Sequence, residues 1–444
     1  MPVMAPDPQP RTSLTGLLAL NRTVGIVLIT VLFFGLGENL WAPFMPAFLK
    51  SLAKPEPGVA LGWEVLWAVG VYACLRNLFE AVCYVGGGQL TARFGDRGSL
   101  IFFGGLTVAG YVLFLLVPNE IVAILAALLI LGWEPLSVPV TFTTVGSTVG
   151  VGGRGMAFAL QSIQKRLPRI IGPAVAGFVL GWASRHYGSE TVGNVVGMQI
   201  LVGASLVLAV ITLAIQFRWM PHIEKPPPGP SSMDILRQLH PMLRRLLIAE
   251  IFTRWCDWLV REFVVLYILF VRGVSYQTAG LLMAAQNFVA LLTYLPIGRM
   301  TAVVGLQPFI GVTFIFFALF PLVLALVPTD WLLLAFVVYG LREIGEPARK
   351  AFITSLLPDE VRARGVGLYW GTRTFAICWA SLVGAVVWYL WGPETLLYVA
   401  FGLGCVGTAV FYLFCRSSVE LDVTEGTSGA RGTPNREAES AKGE

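Results

Sequence analysis

Two stretches of this chain read as variants of one another: RNLFEAVCYVGGGQLTARFG at residues 76–95 and QNFVALLTYLPIGRMTAVVG at residues 286–305. Set 210 residues apart, they agree at Asn77/Asn287, Tyr84/Tyr294, Gly88/Gly298, Thr91/Thr301, Ala92/Ala302 and Gly95/Gly305. The same offset lays Arg154-Gly155 on Arg364-Gly365, and an offset of 208 lays Gly132, Glu134 and Pro139 on Gly340, Arg342 and Pro347. A two-residue change in loop length accounts for the drift. Blocks repeated in one order at one spacing mark a chain built from two similar halves.

What surrounds these blocks is apolar. Hydrophobic residues make up 56% of the chain and charged residues 13%, where a soluble domain carries about 25% charged residues. Too few polar groups remain to cover a surface facing water. About 20 apolar residues cross a bilayer as a helix, and segments of that kind fall near 24–49, 63–86, 99–117, 119–143, 155–184, 192–217, 244–271, 276–297, 307–327, 331–355, 362–390 and 393–415. The expected fold is therefore all-α and membrane-spanning, with twelve transmembrane helices in two pseudo-symmetric six-helix bundles.

The expected organisation is a cytoplasmic N-terminal segment (1–23), a first bundle (24–217), a cytoplasmic linker (218–243), a second bundle (244–416) and a disordered cytoplasmic tail (417–444). The linker centre, KPPPGPSS, is Pro-rich, and a short surface helix at 232–240 is possible after it. With both termini inside, fifteen basic residues lie in inner segments and four in outer loops, as the positive-inside rule requires of that orientation. No removable signal peptide is read, since the first span would itself target the chain. The expected location is the cell inner or plasma membrane.

Several function classes fall away. The net charge of +5 is dispersed among apolar spans and forms no stripe for nucleic acid. The six cysteines lie in or beside apolar spans without metal-ligand spacing, and the three histidines lie in loops, so neither a metal nor another cofactor is expected. The stretch GVGGRG at 150–155 follows no strand, as a dinucleotide site would require. No Walker motif, zinc motif or nucleophile–base pair is present, which argues against an enzyme.

The segment after the second span, GQLTARFGDR at 88–97, resembles the G-x-L-x-D-R-x-G-R-R signature of the major facilitator superfamily. Gly88, Leu90, Arg93, Gly95 and Arg97 match; Ala92 stands where the signature has Asp, and Asp96 where it has a basic residue. The second-half copy, 298–307, keeps the glycines and an apolar third position. The resemblance implies a secondary transporter in which this loop helps set the inward–outward equilibrium, and the missing Asp puts that electrostatic latch in question. It also implies that spans 1, 4, 7 and 10 line a central cavity. Gly172-Pro173 through Gly177 in span 5 is similar to the Gly-Pro motif of proton-coupled drug antiporters; close helix packing is the alternative reading.

Charges inside the spans are the functional pointers, because each costs roughly 2.5–3.5 kcal/mol at the bilayer centre. The four cavity spans hold Glu38, Glu134, Arg254 with Asp257, and Arg342 with Glu343. Glu38 and Glu134 have no basic partner in their own helices. Arg76 and Glu80 are four apart and are expected to neutralise each other; Arg254 and Asp257, three apart, either pair likewise or bind substrate. Glu346, Arg349 and Lys350 read as a gate or packing cluster. Glu134 and Arg342, equivalent in the repeat, are expected on opposite walls of one cavity. Asn39, Gln161, Gln164, Gln286 and Asn287 offer hydrogen bonds to a substrate or to neighbouring helices, and Trp133 and Trp255 could wall a cavity for an organic solute.

The expected activity is movement of a small organic solute by alternating access, proton-coupled through Glu38 or Asp257. The alternatives are an uncoupled facilitator or anion exchanger using Arg254 and Arg342, and a transporter-like sensor that moves nothing. Partners are then the solute, protons and the lipid bilayer, with the chain expected as a monomer.

Overall fold

The computed structural model describes residues 22–53, 61–117, 119–137, 154–220, 240–357 and 362–415. The linker centre, most of the possible helix at 232–240, the last residues of the fourth span, the start of GVGGRG and the tail lie outside them. Away from water, a backbone must satisfy its own polar groups, and the helix does so within one segment. The helices are α1 Arg22–Trp41, α2 Met45–Leu52, α3 Trp63–Leu116, α4 Glu120–Leu131, α5 Arg154–His186, α6 Glu190–Trp219, α7 Pro241–Val260, α8 Phe263–Leu266, α9 Tyr276–Val304, α10 Gln307–Leu326, α11 Leu332–Leu341, α12 Glu346–Ser355, α13 Arg362–Ile377, α14 Ala380–Trp391 and α15 Pro393–Phe414. Among the described residues, nine helical stretches are long and apolar enough to cross a membrane. Expected spans 7, 8 and 10 are also helical, as α7–α8, α9 and α11–α12.

Side chains start several helices. Asn119 accepts from the Ile121 amide, Ser189 from Val192 and Ser275 from Thr278, each using one of the amide groups that a first turn leaves free. The helix ends differ from the sequence reading in one instructive place. Spans 2 and 3 are not separated by a loop over 87–98: helix continues to Phe94, turns at the single residue Gly95 (φ 71°, ψ 169°) and resumes. Its repeat partner Gly305 (φ 89°, ψ 175°) ends α9 in the same way. That backbone region is open essentially to glycine alone, which is why these two positions match. The other repeated glycine pair also marks breaks: a turn at Gly132 follows α4, and α11 gives way to turns over 342–345 just after Gly340.

The helices of residues 22–219 pack among themselves, those of 241–414 do likewise, and the two groups meet where α5 lies along α9 and α3 lies along α13 and α14. Glycine lets the backbones close along both seams. A Cβ on Gly177 would sit 2.4 Å from the Tyr276 carbonyl oxygen, one on Gly280 2.3 Å from that of Pro173, and one on Gly70 3.0 Å from the Ala385 Cβ.

Candidate functional site

Residues of α1, the segment after α4, and α5 enclose a small pocket. Its lining includes Glu38, Asn39, Trp133, Glu134, Lys165 and Arg169, and its free volume is about 20 Å³, room for roughly one water. Lys165 and Arg169 are one turn apart and so share a face of α5. Both reach Glu134: Lys165 Nζ lies 3.2 Å from Oε1 and Arg169 Nη2 lies 3.5 Å from Oε2. Glu38 forms no ion pair or hydrogen bond among the described residues, although it shares that pocket. Asn39 donates to the Gly35 carbonyl in its own helix. Trp133 packs against Phe34 at a tilt of 32°, with centroids 4.6 Å apart.

In the second half, Asp257 is fully enclosed. It pairs with Arg342, approaches Arg261 at 3.7 Å and accepts from the Tyr339 hydroxyl at 3.2 Å. Arg342 also lies over the Tyr339 ring, 3.8 Å from its centroid, and 3.6 Å from Glu343. A second buried group centres on Glu250, which takes Arg349 at 2.9 Å, Arg373 at 3.5 Å and the Tyr369 hydroxyl at 3.0 Å. Glu346 pairs with Arg349, with Lys350 at 3.2 Å and, at the limit of contact, with Arg254 at 4.0 Å.

Two ion pairs among the described residues cross between the halves. Arg76 of α3 meets Glu262, just beyond the end of α7, at 3.1 Å. Arg166 of α5 meets Glu343 at 2.7 Å, donates to Asn287 at 3.3 Å and reaches the Tyr294 hydroxyl.

Two expected pairings are therefore corrected. Arg76 does not pair with Glu80, because Glu262 approaches from the other half. Arg254 does not pair with Asp257, which Arg342 and Arg261 occupy. Glu134 and Arg342 do not pair with each other; each finds partners in its own half. Trp255 is a packing residue whose indole donates to the Ala376 carbonyl at 2.9 Å.

Lys165, Arg166, Arg169, Glu250, Glu262 and Arg373 are the charged groups that reading missed. All are visible as charges within apolar spans: confining attention to spans 1, 4, 7 and 10 left those of spans 5 and 11 aside, and within span 7 the reading took Arg254 and Asp257 and passed over Glu250 and Glu262. In the signature segment, Gly88, Leu90 and Arg93 belong to α3, Gly95 is its corner, and Arg97 donates to the Phe217 carbonyl at 2.7 Å. Arg97 thus serves the last turn of α6, where a cation is favoured. The Gly-Pro stretch is a close contact: a Cβ on Gly172 would lie 2.5 Å from the Asn39 carbonyl oxygen.

Residues 246–437 match the family model of the Major Facilitator Superfamily. No curated protein matches the chain by sequence. Among solved structures, a D-xylose–proton symporter superposes with a TM-score of 0.67 at 14% identity, covering 88% of this chain and 97% of its own. The nucleoside transporter NupG gives 0.66 at 13%, with 88% and 99% covered. The human organic anion transporter MFSD10 gives 0.65 at 15%, with 88% and 98% covered. At these identities the likeness is one of fold.

Proposed function

We propose that this chain, whose second half matches the major facilitator superfamily model and whose fold is that of such transporters, is a secondary transporter that moves a small organic solute by alternating access, coupled to protons. The two ion pairs across the seam support the first part. A charge pair buried between two bodies is stable when closed and costly when only half broken, so it favours two discrete arrangements of the halves over a continuum.

The observation that carries proton coupling is Glu38. Glu134 has two cations beside it, whereas Glu38 lines the same pocket with none paired to it. A part-buried carboxyl group with no cation paired to it can take up and release a proton as its surroundings change. Asp257, the other expected carrier, is committed to Arg342 and Arg261 and is better suited to holding α7 against the turn after α11.

The test is flux in reconstituted vesicles with an imposed pH gradient. Wild-type protein should concentrate its solute, and Glu38→Gln should lose concentration while retaining counterflow exchange. A Glu38→Gln variant that still concentrates solute removes Glu38 from the coupling; binding without flux in the wild type favours a sensor. We further propose that both termini and the linker face the cytoplasm. Cysteines introduced at Ser232 and Ser428 in a cysteine-free background should then resist membrane-impermeant maleimide in intact cells, and labelling at both would reverse the orientation.

A further inference from the structure

We infer that the second half holds an anionic substrate group, a carboxylate or phosphate, between the guanidiniums of Arg254 and Arg373. The inference rests on the transporter reading and names its substrate class. The argument is one of charge. Among the described residues, Arg254, Arg349 and Arg373 lie around Glu250 and Glu346, with Lys350 half-exposed at the edge, so two carboxylates face three largely buried guanidiniums. The first-half pocket, by contrast, is lined by Glu38 and Glu134 and by Lys165 and Arg169, so its cations do not outnumber its carboxyl groups.

The surplus has a location. Arg349 is committed, bonding both Glu250 and Glu346. Lys350 is half-exposed and can be hydrated. Arg254 and Arg373 are neither. Arg254 forms no hydrogen bond among the described residues; its nearest carboxylate oxygen is 4.0 Å away, and its guanidinium lies 4.7 Å from the centroid of the Phe317 ring. Its side chain is only 12% exposed. Arg373, 14% exposed, has one long ion contact among the described residues, 3.5 Å to Glu250, and its buried Nε has no hydrogen-bond partner among them.

Both are thus largely removed from water without enough acceptors, a condition that is costly for a cation. A guanidinium presents a rigid fork of donors that matches a carboxylate or phosphate edge. An anion seated there would restore the balance and fill the vacant donors. Arg342, the other cation expected to bind an anion, is not available for this, because Asp257 occupies it.

The experiment measures melting of the purified full chain in detergent at constant ionic strength. The probes are acetate, benzoate, succinate and inorganic phosphate, with acetamide and benzamide as uncharged counterparts. At least one anion should raise the melting temperature by several degrees while the amides do not. Arg254→Gln and Arg373→Gln should abolish that shift, and Arg254→Lys should keep part of it. Without any anion, Arg254→Met should melt no lower than the wild type, since it removes an unmatched charge; this separates loss of the site from loss of the fold. No anion-specific shift in the wild type, or an undiminished shift in Arg254→Gln, overturns the inference. The two readings fail separately: flux of an uncharged solute without anion binding sinks the anion site and leaves the transporter, whereas anion binding without flux does the reverse.

Discussion

The two halves repeat a backbone and diverge in what they do with charge. Gly95 and Gly305 turn the chain alike, and Gly132 and Gly340 lie beside equivalent helix breaks. Yet Glu134 and Arg342, which occupy matching positions, have opposite sign and unlike surroundings. Glu134 is 34% exposed beside two cations of the next helix, whereas Arg342 is 3% exposed against a carboxylate with no exposure at all. The first half gathers Glu38, Glu134, Lys165 and Arg169 around a small pocket; the second encloses Asp257, Arg342, Glu250 and Arg349 between α7 and α11–α13. The repeat thus conserves the geometry of bending and leaves each half free in its chemistry.

The widest consequence of this contrast is energetic. Asp257→Asn should destabilise the protein by about 3 kcal/mol, because Arg342 would lose its closest carboxylate and keep only Glu343, 3.6 Å away; equilibrium unfolding in mild detergent measures it. A loss comparable to that of an exposed pair would mean that the second half is not sealed. The backbone half of the comparison is tested next. Gly95→Ala and Gly305→Ala should each cost about 1–3 kcal/mol, since a side chain at that φ and ψ is strained. The two values should agree, and a large disparity would show that the corners are equivalent in sequence only. The smallest effect belongs to Glu134→Gln, expected at about 1 kcal/mol or less for a part-solvated pair. Its melting curve should nearly overlay that of the wild type, and a loss matching Asp257→Asn would erase the distinction between the halves.

The helices were legible because a bilayer imposes one length and one periodic rule on every span, and the repeat was legible because a glycine at a positive φ has no substitute. Partner choice was not. Reading Arg76 with Glu80 relied on their spacing along one helix, which establishes reach but says nothing of competitors. Glu262, 186 residues away, wins that competition through packing. Arg254 and Asp257 fail in the same way, since Arg342 arrives from another helix. The helical run through 87–94 reads as loop in the sequence because charged and glycine residues cluster there, although a helix end tolerates both. Glu38 stands out in sequence and structure for one reason: no basic residue lies within a turn of it on its own helix, and the described neighbours from other helices pair elsewhere.

The ion pairs across the seam have a direction. In both, the first half contributes the guanidinium and the second the carboxylate: Arg76 to Glu262 and Arg166 to Glu343. Because synthesis runs from the N-terminus, the first half is made while the carboxylates it will meet do not yet exist. During that interval Glu80, one turn from Arg76, is an acid within its reach, so a pairing absent from the finished protein suits the nascent one. Two newly made first halves meeting in the membrane would set guanidinium against guanidinium and repel. The seam thereby carries its own instruction for assembly, favouring the half that follows on the same ribosome over another copy of the half already made.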